Sequence, residues 1–334
     1  MAAPNQTAPA VADLLPRIRG YGWREALEAR EATIAVVLVV MCTVMSIAYP
    51  QFRTLGNAQN ILQAVAMTAI VGVGMTMVIV SGGIDVSVGS ALSVCAVVVG
   101  MRLQDGAGVV EAIAVALAVG TAIGLLNGLL IGVGRIHSII VTFGMLNILR
   151  VVSFKATGGK WLSGVPGSLS YFNDGTLLWL PFAWWMAMAL GAVATYYLWR
   201  RPTGRHLYAL GGNPETARLA GVAVLRRTIF VYAITGLFVG VASIVYVGGN
   251  TVIQTNVGVG FELRVIAAVV IGGTSILGGK GTVIGTLLGA LLVGTIENAL
   301  VVVNAKALYT GVILGGLILL TVGLDMLRRR ARET

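Results

Sequence analysis

Apolar residues run through this chain in long blocks, and polar residues are confined to the gaps between them. A helix needs about 20 mostly apolar residues to cross a bilayer, within a range of roughly 17 to 25. Ten blocks approach that length: 33–49, 61–80, 87–101, 110–133, 138–154, 177–199, 228–247, 263–277, 282–303 and 308–324. Uninterrupted apolar blocks this long predict helices rather than strands. The third and eighth blocks are short and bounded by glycine. The expected fold is an all-α integral membrane protein, a polytopic helical bundle of about ten transmembrane helices in which glycine breaks some helices short.

The arginines orient this plan. Arg17, Arg19, Arg24 and Arg30 precede the first block, Arg200, Arg201, Arg205, Arg218, Arg226 and Arg227 fill the longest polar loop, and Arg328, Arg329, Arg330 and Arg332 end the chain. Basic segments stay on the cytoplasmic side, and six crossings followed by four place all three there. The expected organisation is a cytoplasmic segment 1–31, a transmembrane domain 32–325 with a cytoplasmic loop at 200–227, and a basic cytoplasmic tail at 326–334, with both termini inside. The stretch 155–176 falls on the outer side, where Trp161, Trp179 and Trp184 suit an interfacial aromatic belt. The first block is expected to remain as an uncleaved anchor, because no short apolar core with a small-residue cleavage site precedes it.

Composition agrees. Charged residues are 11% of the chain and hydrophobic ones 57%, whereas soluble domains average about 25% charged. The 45 glycines suit helices that approach closely in lipid. A net charge of +10 raises the question of nucleic acid, but the arginines sit in short gaps rather than on a surface interleaved with aromatics. Cys42 and Cys95 lie inside apolar blocks and form no disulfide pattern, and His137 and His206 have no partners at ligand spacing, so no metal site is expected.

Gly120, Gly124, Gly128 and Gly132 recur every fourth residue, as do Gly281, Gly285 and Gly289. Residues four apart share a helix face, so each series should form a groove for a neighbouring helix. Ionisable residues near or inside the blocks are Asp85, Glu262, Arg264, Lys280 and Glu297, and a charge in a span costs roughly 2.5 to 3.5 kcal/mol on insertion scales. Asp85 is expected to cap the third helix at Ser87 or Val88, with a gating or solute-contacting role as the other reading. Glu262 and Arg264 read as an interfacial pair. Asn127, Glu297 and Asn298 make a polar seam that faces either other helices or a solute pathway. Val80, Gly82, Gly83 and Gly89 recur as Val270, Gly272, Gly273 and Gly279, which suggests a parallel internal duplication. Near Lys280 the chain approaches a phosphate-binding loop, but Thr274 and Gly281 break that motif, so this chain is not expected to hydrolyse ATP. No nucleophile, base and orienting group stand in a recognisable order, so no catalytic residue is assigned.

The loop after the sixth block carries a strong local signal. Asn213 is a good N-cap, Pro214 suits the first helical turn, Glu215 complements the helix dipole and Gly221 can close the end, predicting a short helix over 214–220. At this length it should pack against something.

Four segments together resemble the permease family of bacterial ATP-binding-cassette importers for ribose, xylose, rhamnose and autoinducer-2: VSGGIDVSVGS at 80–90, NGLLIG at 127–132, GRHLYALGGNPETARLAGV at 204–222 and FELRVIAAVVIGGTSILGGKGTVIGTLLGALLVG at 261–294. That resemblance implies a permease subunit in the cell inner membrane that forms the pathway for a monosaccharide or sugar-like solute. It also implies three partners: a cytoplasmic ATPase that binds the ATP and Mg, a second permease chain, identical or different, and a periplasmic solute-binding protein. This chain itself would bind no cofactor, and Asn213, Pro214, Glu215, Ala217 and Gly221 would couple it to the ATPase. TGGKW at 157–161 resembles the rhamnose and autoinducer-2 members more than the ribose ones. The competing class is an ion-coupled secondary transporter of a small polar solute, which would need intramembrane acids coupled to its substrate.

Overall fold

The computed structural model describes residues 23–305 together with 311–313, 315, 316, 319 and 323. The basic tail, the first residues and most of the tenth block lie outside the described residues. The long helices are α1 (Trp23–Ala48), α2 (Leu55–Val80), α3 (Val88–Gln104), α4 (Val109–Gly132) and α5 (Ser138–Ala156). A short helix α6 (Ser170–Asp174) precedes α7 (Phe182–Arg200), α8 (Pro202–Gly212), α9 (Pro214–Leu219), α10 (Val224–Gly248), α11 (Phe261–Ile271) and α12 (Val283–Val302). Among the described residues six helices are long and apolar enough to cross a membrane: the Glu31–Ala48 part of α1, then α2, α4, α5, α10 and α12. Their outward faces carry large apolar side chains, such as Ile47, Val110, Ile140 and Val301, which water would not tolerate in such number.

Local chemistry sets the helix boundaries. Thr54 caps α2 by accepting from the Asn57 N–H at 3.2 Å, and Thr282 caps α12 by accepting from Gly285 at 3.0 Å. Helix α2 ends because Gly82 takes φ +86° and the Gly83 N–H folds back to the Val78 carbonyl at 3.0 Å, the left-handed closure that favours glycine. Helix α11 ends the same way at Gly273, φ +90°, with Thr274 N–H on Val269 O at 3.2 Å. The two turns close alike, Gly82 matching Gly273, one residue away from the register read in the sequence, although the helices they end hold different places in the packing.

The packing also replaces the parallel duplication with an inverted one. Helix α10 packs on α2, α3 and α4, while α2 packs on α10, α11 and α12. Exchanging α2–α3–α4 with α10–α11–α12 maps these contacts onto each other. The two lead helices run antiparallel, since Gly74 of α2 lies beside Thr235 and Phe238 whereas Gly83, past its end, lies beside Tyr232.

Two expected spans change at their ends. Residues 177–181 are not helical: β2 (Thr176–Leu177) and β3 (Leu180–Pro181) form a hairpin, so α7 starts at Phe182. The eighth block forms only the 11-residue α11, about 16 Å at 1.5 Å per residue. The chain before it leaves a second antiparallel pair, β1 (Leu162–Ser163) with β4 (Val252–Ile253), and enters the bundle until Gly258 lies backbone to backbone against Gly89. The starts of α3 and α11 thus meet inside the protein. Trp161 and Trp179 are exposed, as an interfacial belt requires, but Trp184 is buried and drops out of it.

Glycine governs the tightest interface. Cβ atoms at Gly120 and Gly124 would fall on the carbonyl oxygens of Gly236 and Tyr232, and one at Gly128 would stand 2.8 Å from the Ile229 Cα. Gly132 faces the Leu225 side chain instead, at 2.8 Å. Across α11 and α12, Gly285 and Gly289 lie against the carbonyls of Gly272 and Ala268. Gly281 departs from the expected series, because it precedes α12 and packs on Thr274 in the turn. Replacing Gly124 by leucine should lower stability by about 1–3 kcal/mol or more through overpacking. Gly144, which has nothing within 4 Å of a built Cβ, should accept the same change. Thermal unfolding of the two detergent-purified variants separates them.

Candidate functional site

Four turns gather at the end of the bundle that carries the basic loop. They are 81–87 after α2, 133–137 after α4, the α8–α9 segment, and 272–282 between α11 and α12. The contacts that bring them together are a hydrogen bond from the Gly279 N–H to the Val80 carbonyl at 2.9 Å, one from the Tyr208 hydroxyl to the Gly281 carbonyl at 2.9 Å, and one from the Ile84 N–H to the Ser138 hydroxyl at 3.3 Å.

Within this end lies a buried polar knot. Asp85 is only 3% exposed, and its Oδ1 accepts from the Ser87 N–H at 2.9 Å and the Ser87 hydroxyl at 2.6 Å. The carboxylate therefore organises the first turn of α3, as a capping group does. Asn127 of α4, fully buried, donates to the Ser87 hydroxyl at 2.8 Å. The Ile84 carbonyl receives the Thr142 hydroxyl at 3.3 Å and the Tyr232 hydroxyl at 3.4 Å. One non-helical turn is thus held by α4, α5 and α10, which satisfies polar groups that hydrocarbon would leave unpaired. Asp85 and Asn127, separate in the sequence, belong to this one cluster.

The other seam residues lie elsewhere. Glu297 pairs with Arg264 at 3.0 Å, and Asn298 exchanges amide hydrogen bonds with Asn57 at 2.9 and 3.1 Å. This corrects the Glu262–Arg264 pairing: Arg264 reaches α12, while Glu262 is buried against Gly89 where α3 and α11 meet. Lys280 is exposed on the turn rather than embedded. Sequence periodicity passed over Ser138, Thr142 and Tyr232, since each is a single polar group in an apolar block. It also passed over Arg150, a half-buried charge inside α5.

Beyond the knot, α8 and α9 form a basic-side projection. Asn213 Oδ1 accepts from the Thr216 N–H at 2.9 Å, and Pro214 occupies the first turn. At the far end Gly221, φ +83°, lets Val222 N–H reach the Ala217 carbonyl and Gly221 N–H reach Arg218, both at 3.0 Å, a complete glycine-closed terminus. Arg218 hydrogen-bonds Glu215 at 2.5 and 3.1 Å, and that bond with its charge holds the Glu215 carboxyl below the usual range. Both side chains are exposed, so the pair orients this face more than it stabilises it. Leu219 is 76% exposed beside them. Ala217, by contrast, is 3% exposed and turns inward with Val222. It anchors α9 to the protein and faces inward, unlike a residue that itself meets a partner.

Asn213→Ala should remove the cap, at about 0.5–2 kcal/mol, and Gly221→Ala should strain a left-handed residue. Amide hydrogen exchange over 214–222 should accelerate in both variants while α10 stays protected. The Glu215–Arg218 contribution is present above the unfolded carboxylate pKa and should fade as pH falls through the depressed folded value.

The family model described as branched-chain amino acid transport system / permease component matches residues 57–322. The ribose import permease protein RbsC of Escherichia coli strain K12 is 37% identical over 294 residues, 87% of this chain and 92% of that protein. RbsC of Haemophilus influenzae is 34% identical over 278 residues, 82% and 86% of the two chains. The autoinducer 2 import system permease protein LsrC of Yersinia pseudotuberculosis is 35% identical over 293 residues, 88% and 83%. No solved structure matches.

Proposed function

The chain belongs to the permease-component family of branched-chain amino acid transport systems, and from that premise we infer that it forms the membrane pathway of an ATP-driven importer for a monosaccharide-like solute. The observation that carries this reading is the near full-length similarity to import permeases for ribose and autoinducer 2. The leaning of TGGKW towards the rhamnose and autoinducer-2 members is no guide, since ribose and autoinducer-2 relatives match at nearly equal identity.

In this reading the chain crosses the inner membrane ten times, with the basic end in the cytoplasm. The alternation of turns supports it: 81–87, 133–137, 201–223 and 272–282 share one end, while 105–108, 157–181 and the β4 strand share the other, where Gln104 reaches Ser163 and Gln63 reaches Asn173. The basic end then meets a cytoplasmic ATPase, which supplies ATP and Mg, and the opposite end meets a periplasmic solute-binding protein. A second permease chain completes the pathway.

The ATPase would dock on α9. An apolar Leu219 standing in water beside a fixed Glu215–Arg218 pair is the chemistry of an interface awaiting a partner, and Ala217 and Val222 hold the helix firmly to its own side. Glu215→Lys and Leu219→Asp should leave insertion and thermal stability unchanged while lowering ATPase capture and solute uptake at least tenfold. Unaltered capture and uptake in both would remove α9 as the docking element. Sidedness has its own check. In a chain lacking Cys42 and Cys95, a cysteine at Asn213 and one at Trp161 should react with an impermeant thiol reagent from opposite faces, and labelling of both from one face would exclude the ten-span topology.

A further inference from the structure

Gly211, at the end of α8, stands where three chain segments touch backbone to backbone. A Cβ built on it would fall on the Val80 carbonyl oxygen and stand 2.6 Å from the Gly279 nitrogen. From the opposite side, a Cβ on Gly278 would stand 3.0 Å from the Cα atoms of both Gly211 and Gly82. The Gly279 N–H donates to the Val80 carbonyl at 2.9 Å, and the Tyr208 hydroxyl, one helical turn before Gly211, donates to Gly281 at 2.9 Å. Gly212, the next residue, has nothing within 4 Å of a built Cβ. A Cβ on Gly279 would also stand 3.1 Å from the Gly212 backbone, so both glycines join the contact, but only Gly211 has its own Cβ direction blocked.

We propose that the Gly211–Gly82–Gly278 contact is the junction through which movement of α8–α9 is transmitted to the two turns that carry the Asp85 knot and the start of α12, with Gly211 and Tyr208 acting as positioning residues. Packed backbone has no flexible side chain to absorb a displacement, so a shift of α8 must move Val80 and Gly279 with it. From Gly82 the path is short. Gly83 lies against the Tyr232 hydroxyl, Ile84 is held by Ser138, Thr142 and Tyr232, and Asp85 sets the first turn of α3. On the other branch, Gly281 leads directly into Thr282, whose hydroxyl caps α12 and also donates to Glu31 of α1. One contact therefore reaches α1, α3, α4, α5, α10 and α12. The inference rests on the reading that a cytoplasmic ATPase moves α9.

The test uses the assembled importer in liposomes, with solute uptake and ATP hydrolysis measured on the same preparation. Gly211→Ala should keep ATPase capture and hydrolysis within about twofold of wild type while uptake per ATP falls at least tenfold. Gly212→Ala, one residue away in open space, should match wild type in both. Tyr208→Phe adds no bulk and should lower uptake per ATP several-fold at unchanged thermal stability, which keeps the question decidable if Gly211→Ala fails to insert. Wild-type uptake per ATP in Tyr208→Phe together with either wild-type coupling or non-insertion of Gly211→Ala would overturn the proposal. So would an equal loss of coupling in Gly212→Ala. Failure of α9 as the docking element shows separately, as wild-type ATPase capture in Glu215→Lys.

Discussion

The close approach of α4 and α10 is the constraint on which the rest of the structure depends. Two helices in lipid gain no hydrophobic free energy by associating, so they need backbone contact and dispersion across a wide seam. Here glycines on both partners, Gly120, Gly124 and Gly128 facing Gly236, Gly240 and Ile229, let the main chains touch. That seam fixes where Asn127 and Tyr232 stand, one beside Gly128 and the other opposite Gly124. Those two side chains then reach the non-helical turn before α3 and satisfy its exposed backbone and its carboxylate. Without close packing the turn at Asp85 would present unpaired polar groups to an apolar interior, at a cost of several kcal/mol.

The same logic, inverted, acts across α2, α11 and α12. Gly272, Gly285 and Gly289 bring α11 and α12 together, and the chain entering α11 descends far enough for Gly258 to rest on Gly89. Two helix starts, each with its own buried carboxylate, therefore face one another within the bundle. Irregular backbone at such depth is tolerated where protein surrounds it. In a transport protein that arrangement places the least regular segments at the centre, with helical scaffolding outside.

What the sequence revealed followed from local physics. The cap of α9 was legible because Asn213, Pro214 and Gly221 act on their immediate neighbours, and the spacing of glycines in α4 was legible because helical periodicity is local. The end of α11 was not, since an apolar segment reads the same whether it is helix or a dipping loop. The partner of Arg264 was hidden by the chain separation of Glu297. The repeat was misread because glycine identities pair the end of α2 with the end of α11, whereas the packing exchanges α2 with α10. Burial of Ala217 and Trp184 depends on tertiary neighbours, which composition does not encode.

Asp85 is tied to Ser87 and Glu297 is paired with Arg264, an arrangement that uses the embedded acids to hold structure. Energy for transport would then enter through the basic end. The most direct measurement reconstitutes this chain with its ATPase and solute-binding protein in sealed liposomes and follows uptake of a labelled monosaccharide. The account predicts accumulation that requires ATP on the basic side and the binding protein on the other, and that persists when proton and sodium gradients are abolished by ionophores. Accumulation driven by either gradient with no ATP present would contradict it.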